Sequence, residues 1–325
     1  MNANRKAAVK KVKTLVLSPL GEIEPFRAKI EETFATVFLP NHVERDQHSY
    51  GGVPCDILVP ELYSSTKLII YVHGGSFAGG SRDSYRNFCS SLAHDASCRV
   101  IVPEFRLPPT YPYPASIDDV YAVFVAVYQE QLVNLKADKA EIVLAADGSG
   151  ASIAIAVLFR LSEAYKKAVC NLLLFSPWLD MSSSAPLIKN KKARDEVLAG
   201  ENLHRAVDVY TYAANFANPL VSPLQAVKEK FESFPPVYIQ MGGAELLVSQ
   251  AEQLRDIVQS VGGTVELDLW PKMMFLFQMA DEFLPESHLA IEKVGKFLNK
   301  REESESEEEK EERRKILRKN DIVVD

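Results

Sequence analysis

The chain of 325 residues is short of the features that announce several common functions. Its four cysteines, Cys55, Cys89, Cys98 and Cys170, form no Cys-x-x-Cys pair and show no ligand-type spacing to histidine. They read as packing thiols in a reducing compartment, and no metal site is legible. No window reaches the ~20 apolar residues of a membrane helix. No secretory apolar core precedes Pro19 either, so the expected location is the cytoplasm. Basic charge is also scarce: 37 Lys and Arg stand against 44 Asp and Glu, a net charge of −7. The basic run at residues 5–13 is short and isolated, which argues against a nucleic-acid partner. No cofactor is expected.

What is present is apolar material in short, regularly spaced runs. With 47% hydrophobic positions the chain can bury one large α/β core with an attached cap. Residues 43–50 and 55–59 flank Gly51 and Gly52, the pattern of a β-hairpin whose glycines supply positive φ. Apolar or β-branched runs follow at 67–72, 99–102, 141–144, 171–175, 236–240 and 265–269. Helix-length segments separate them, which predicts a mostly parallel sheet covered on both faces.

Two segments do not fit that alternation. Residues 1–40 precede the first strand, and 181–234 separate two strands that a short crossover would join; together they are expected to form a cap or lid. Residues 41–300 are then the core. Residues 301–325 are almost all charge and are expected to be a solubilising, disordered tail, with docking of a protein partner as the alternative. The oligomeric state is left open.

Three stretches carry chemistry. Residues 73–81, His-Gly-Gly-Ser-Phe-Ala-Gly-Gly-Ser, directly follow the strand at 67–72. An H-G-G loop in that place aims backbone N–H groups at a developing oxyanion, and glycine keeps the approach clear. Residues 104–119 contain Arg-Leu-Pro-Pro and end in Pro-Ala-Ser-Ile-Asp-Asp, with Ser116 and Asp119 at capping-box spacing. Residues 145–151, Ala-Ala-Asp-Gly-Ser-Gly-Ala, join an apolar strand to a helix of small residues. A glycine-flanked serine on a strand-to-helix turn is how an α/β hydrolase displays its nucleophile.

As a set, with Ser-Pro-Trp-Leu-Asp at 176–180, Asn-Pro-Leu-Val-Ser-Pro at 218–223 and Gly-Gly-Ala-Glu-Leu-Leu at 242–247, these stretches resemble the hormone-sensitive-lipase-like branch of the α/β hydrolases. The resemblance spans residues 73–298. It implies the α/β-hydrolase fold: a mostly parallel sheet of about eight strands, helices on both faces and a small helical cap. It also implies carboxylic-ester hydrolysis by a Ser-His-acid triad.

At two triad positions this chain departs from the family pattern. The family elbow, G-D-S-A-G-G-N-L-A, laid without a gap on residues 146–154 keeps Asp147 and puts Gly148 at the nucleophile position. Ser149 lies one place beyond it, and a local one-residue slip would make Ser149 the alternative nucleophile. The resemblance places the acid at Glu245. It puts the catalytic histidine, in Y-P-x-M-x-H-x-F, at Phe275 within Trp-Pro-Lys-Met-Met-Phe-Leu-Phe (270–277). A hydroxyl is a weak nucleophile until a base activates it. None of the six histidines, His42, His48, His73, His94, His204 and His288, follows the last strand directly.

The expectation is therefore a catalytically degenerate member of the family that binds or responds to a small hydrophobic ester or carboxylate. Gly74, Gly75 and the Ser149 amide would hold its carbonyl or carboxylate in an apolar cleft, made roomier by Gly148 and greasier by Phe275. An active carboxylic-ester hydrolase using Ser149 and a non-catalytic interaction scaffold are the alternatives.

Overall fold

The computed structural model describes residues 3–34, 42–63, 66–135, 140–182 and 195–299; the charged tail lies outside them. Among the described residues there are eight strands: β1 Val43–Tyr50, β2 Val53–Pro60, β3 Leu68–Val72, β4 Arg99–Pro103, β5 Ile142–Asp147, β6 Val169–Phe175, β7 Val237–Gly242 and β8 Val265–Trp270. They form one sheet in the order β1-β2-β4-β3-β5-β6-β7-β8. β1 and β2 pair antiparallel, as do β2 and β4; every other neighbouring pair is parallel.

The local chemistry explains the elements. Gly51 and Gly52 take φ of +58° and +84°, so a two-residue turn joins Tyr50 to Val53 and sets the hairpin register. Six residues of β1 are exposed, in keeping with its charged sequence and its place at the sheet edge. β3 and β5 are buried along their whole length and read as continuous apolar runs, as strands covered on both faces must.

The helices are α1 Ala3–Lys13, α2 Ile23–Phe34, α3 Arg82–Ala96, α4 Ala115–Leu135, α5 Gly150–Arg160, α6 Glu163–Lys166, α7 Gly200–Tyr210, α8 Val248–Ser260 and α9 Pro285–Asn299. α3 packs on α9, and α4 on α5. The chain steps one way from β3 to β4 and the other way from β4 to β5. Right-handed crossovers therefore put α3 and α4 on opposite faces of the sheet.

The sequence reading of a Ser116–Asp119 capping box does not hold. α4 begins at Ala115, and the Asp119 carboxylate instead accepts the Arg106 backbone N–H at 2.8 Å and its guanidinium at 2.7–3.1 Å. A doubly charged pair outcompetes a local cap.

The reversal of strand order between β3 and β5 is what positions the site. Chain leaving the two strands diverges there, which opens a crevice at their carboxyl ends. The loop after β3 and the turn after β5 both face it. So do residues 15–17 from the N-terminal segment and α7 from the insertion, linked to the β3 loop and to each other by hydrogen bonds. Residues 183–194 of that insertion lie outside the described residues.

Candidate active site

The turn after β5 is a sharp elbow. Asp147 ends the strand, Gly148 has φ +46°, and Ser149 returns to helical torsions at φ −69°, ψ −24° before α5. Gly148 N–H donates to Phe175 O at 3.0 Å, and Gly148 O accepts from Trp178 N–H at 2.9 Å, so the elbow is tied to the end of β6. A Cβ built on Gly148 would point at Phe275, 3.3 Å from its ring Cζ. The structure thus brings Gly148 and Phe275 face to face across the crevice.

Ser149 is turned elsewhere. Its Oγ accepts the Phe77 N–H at 2.9 Å, and the residue is only 3% exposed. The hydroxyl ties the loop after β3 to the elbow. No histidine joins it: among the six, His73 alone is buried, and the other five are exposed. His73 stacks between Tyr85 and Phe105, at 5.1 and 4.2 Å between ring centroids, with Nδ1 3.2 Å from Gly74 O. Burial drops its pKa to about 4, so it stays neutral near pH 7 and packs.

The β3 loop corrects one expectation. Gly74 does not lend its N–H to the crevice, because that group donates to Asp147 Oδ1 at 2.9 Å. Asp147 is fully buried and also accepts from Tyr71 Oη at 2.9 Å and Tyr85 Oη at 3.0 Å. Desolvation raises its pKa to about 7 against the pull of those three donors. Gly75 and Ser149 do line the crevice. Gly75 has φ +80°, and a side chain on it would collide with Gly79 O at 2.3 Å.

Glu245 sits in the turn after β7. One carboxylate oxygen accepts from Ser176 Oγ at 2.8 Å and from the Gly242 N–H; the other is buried without a partner among the described residues. Ser176, with φ +45°, accepts in turn from Leu276 N–H at 3.1 Å. The chain Leu276–Ser176–Glu245 therefore runs beside Phe275 with no imidazole in it. Desolvation holds the Glu245 pKa well above the usual carboxylate range. Ser176 enters the sequence reading only as part of the 176–180 landmark, with no role of its own; its place at the end of β6, before Pro177, is the signal that locates it.

The crevice is nearly filled. Its free volume is about 20 Å³, little more than one water needs. Phe275, Trp178 and Leu203 close it from the body and α7, and Leu15 and Val16 from the N-terminal segment. The roomy cleft expected at Gly148 is absent, because the Phe275 ring takes up the space. Among the described residues no group of three or more His, Cys, Asp or Glu is placed to hold a metal. No helix among them is long and apolar enough to cross a membrane.

This arrangement, with an eight-stranded sheet, an elbow after β5, a glycine loop after β3 and a carboxylate after β7, is that of an α/β hydrolase. A family model described as the alpha/beta hydrolase fold matches residues 69–279, and the chain belongs to that family, in its hormone-sensitive-lipase-like branch. It is 29% identical over 281 residues to an acetyl-hydrolase of Streptomyces hygroscopicus, covering 86% of this chain and 90% of that one. An esterase of Acinetobacter venetianus is 30% identical over 235 residues, 72% of this chain and 75% of the relative. Among solved structures, an esterase of the bacterial hormone-sensitive lipase family superposes with a TM-score of 0.80 at 25% identity, over 92% of this chain and 98% of that one.

Proposed function

We propose that this chain is a hydrolytically silent member of the esterase family whose elbow crevice serves as a site for a small hydrophobic ester or carboxylate. The observation that carries the reading is the Gly148–Phe275 contact: where the family resemblance puts hydroxyl and imidazole, there is a glycine and a phenyl ring 3.3 Å from its Cβ direction. Neither accepts a proton. Gly75 and Ser149 line the crevice as donors for a carbonyl or carboxylate oxygen, and the walls are apolar. At about 20 Å³ the closed crevice excludes an ester, so entry requires the N-terminal segment or Phe275 to move.

The test is turnover of p-nitrophenyl butyrate by wild type and by the double variant Gly148→Ser, Phe275→His. Glu245, at the position where the family resemblance puts the acid, would orient the new imidazole. Wild type is expected at the buffer rate. The double variant is expected to exceed it by ~10² or more, the lower range for a positioned general base, and adding Glu245→Gln should cut the gain. Wild-type turnover that disappears in Ser149→Ala would overturn the proposal.

A second reading has one observation in its favour: the named relatives are an acetyl-hydrolase and an esterase. On that reading Ser149 is the nucleophile, and a serine-directed phosphonate labels it. The scaffold reading depends on residues 301–325, which lie outside the described residues.

A further inference from the structure

Three consecutive residues of the β3 loop take the left-handed conformation: Gly75 at φ +80°, Ser76 at +55° and Phe77 at +60°. Glycine adopts it freely, whereas serine and phenylalanine are strained there. Such strain persists only where surrounding contacts over-determine the conformation. For Phe77 those contacts are the bond to Ser149 Oγ and a ring stacked on Tyr210 with centroids 4.0 Å apart. For Ser76 they lie in the N-terminal segment. Its Oγ donates to Leu15 O at 3.2 Å and accepts Leu17 N–H at 3.0 Å. A glycine at 76 would relieve the torsion and lose both bonds, so the hydroxyl accounts for a serine in this conformation.

Those bonds hold a strap over the crevice. Residues 15–17 follow α1, and Leu15 and Val16 pass their own N–H groups back to Val12 O and Lys13 O. Leu17 O accepts from Asn202 Nδ2 on α7 at 3.0 Å. Among the described residues, the strap's backbone is thus bonded to the rest of the site through two side chains, Ser76 from the β3 loop and Asn202 from the insertion. The side chains of Leu15 and Val16 form its inner face against the crevice. Leu15 and Leu17 are themselves buried, and the Ser18–Gly21 turn just beyond them leaves Leu20 almost wholly exposed, so the packed part of the strap ends at Leu17.

We infer that residues 15–17 are a gate and that Ser76 is its latch, a positioning residue that sets how often the crevice opens. Opening breaks the two Ser76 bonds and the Asn202 bond and lifts Leu15 and Val16 off the elbow. The role of the gate in ligand entry rests on the ligand-site reading above; the latch stands or falls independently of it.

The experiment reads access to the elbow directly. Gly148→Cys places a thiol on the apex, and its alkylation by iodoacetamide is followed in the full chain with Ser76 intact, with Ser76→Gly and with Asn202→Ala. Three native thiols are buried and Cys170 is half-buried; the Gly148 parent supplies their background. The gate predicts labelling of the introduced thiol at least tenfold faster with either second change, while amide exchange at β5 and β6 stays as in the parent. Unchanged labelling in both would overturn the latch, as would faster labelling accompanied by faster exchange throughout the sheet. Asn202→Ala leaves the strained loop untouched, so it decides the matter if Ser76→Gly perturbs folding. Because iodoacetamide reports access alone, absence of ester binding or turnover leaves this result unaffected and counts against the ligand reading only.

Discussion

At the scale of single residues, Glu245 and Ser149 both have structural work in the site, whatever their part in chemistry. Glu245 ends a buried hydrogen-bond chain through Ser176 to Leu276 N–H, so it holds the loop carrying Phe275 whether or not an imidazole is present. Ser149 binds the Phe77 N–H in a residue that is itself buried. Ser149→Ala strands that donor. A buried N–H without a partner costs roughly 1–3 kcal/mol, and the loss should appear as a lower urea midpoint with an unchanged m-value. On the proposed silent reading, ester turnover should not move. A stability loss with no activity change assigns Ser149 to the loop. An activity loss with no stability change would assign it to catalysis.

At the scale of elements, a cluster of three arginines around one buried carboxylate lies away from the crevice. Asp56 on β2 is completely buried and is met by Arg45 from β1 at 2.8 and 3.1 Å, and by Arg82 at 3.2 Å and Arg86 at 3.1–3.2 Å from α3. Three guanidiniums on one carboxylate fasten the hairpin to the helix that follows the β3 loop. Breaking a buried pair by removing one partner costs about 3–5 kcal/mol. The arginines here are 20–31% exposed and regain water, so Asp56→Ala should fall near the lower end, about 3 kcal/mol by that scale. Arg86→Met should cost less, because two guanidiniums still satisfy the carboxylate. Urea unfolding of the two variants orders them; equal costs would mean the arginines act singly.

The contrast between this cluster and the strands shows what was legible in the sequence. The hairpin, the apolar runs and the elbow are local: period, Gly-Gly and strand-to-helix spacing are written in consecutive residues. Each of the eight runs became a strand, with ends shifted by at most three residues. Asp56, Ser176 and Ser76 act through partners 11 to 100 residues away, and no periodicity reports such pairings. The Gly74 N–H was misplaced for the same reason, since its acceptor is 73 residues distant. The size of the crevice was equally illegible. A glycine in sequence implies room, but the room is decided by a ring that arrives from beyond β8.

At the scale of the whole molecule, the buried acid at the centre of the site sets a pH dependence. Asp147 titrates near pH 7 in the folded chain, against an ordinary aspartate value of 3.8 when unfolded. Between these values the folded state holds a proton that the unfolded state has released. Stability therefore falls as pH rises through that window, and the loss is complete above about pH 7. Glu245, also raised by burial, acts in the same direction. His73 acts oppositely: its folded pKa of about 4 lies below 6.5, so its contribution grows as pH rises between the two. The raw stability curve mixes these slopes, and a difference curve separates them. Asp147→Asn keeps the shape and removes the ionisation. Unfolding free energy of wild type minus that of the variant, measured in urea from pH 4 to pH 8, should decline steadily to about pH 7 and then level. A flat difference would mean that the Tyr71, Tyr85 and Gly74 donors hold Asp147 ionised throughout. In that case the anion at the foot of the elbow is a permanent part of the site, and its charge is one that any carboxylate ligand must meet.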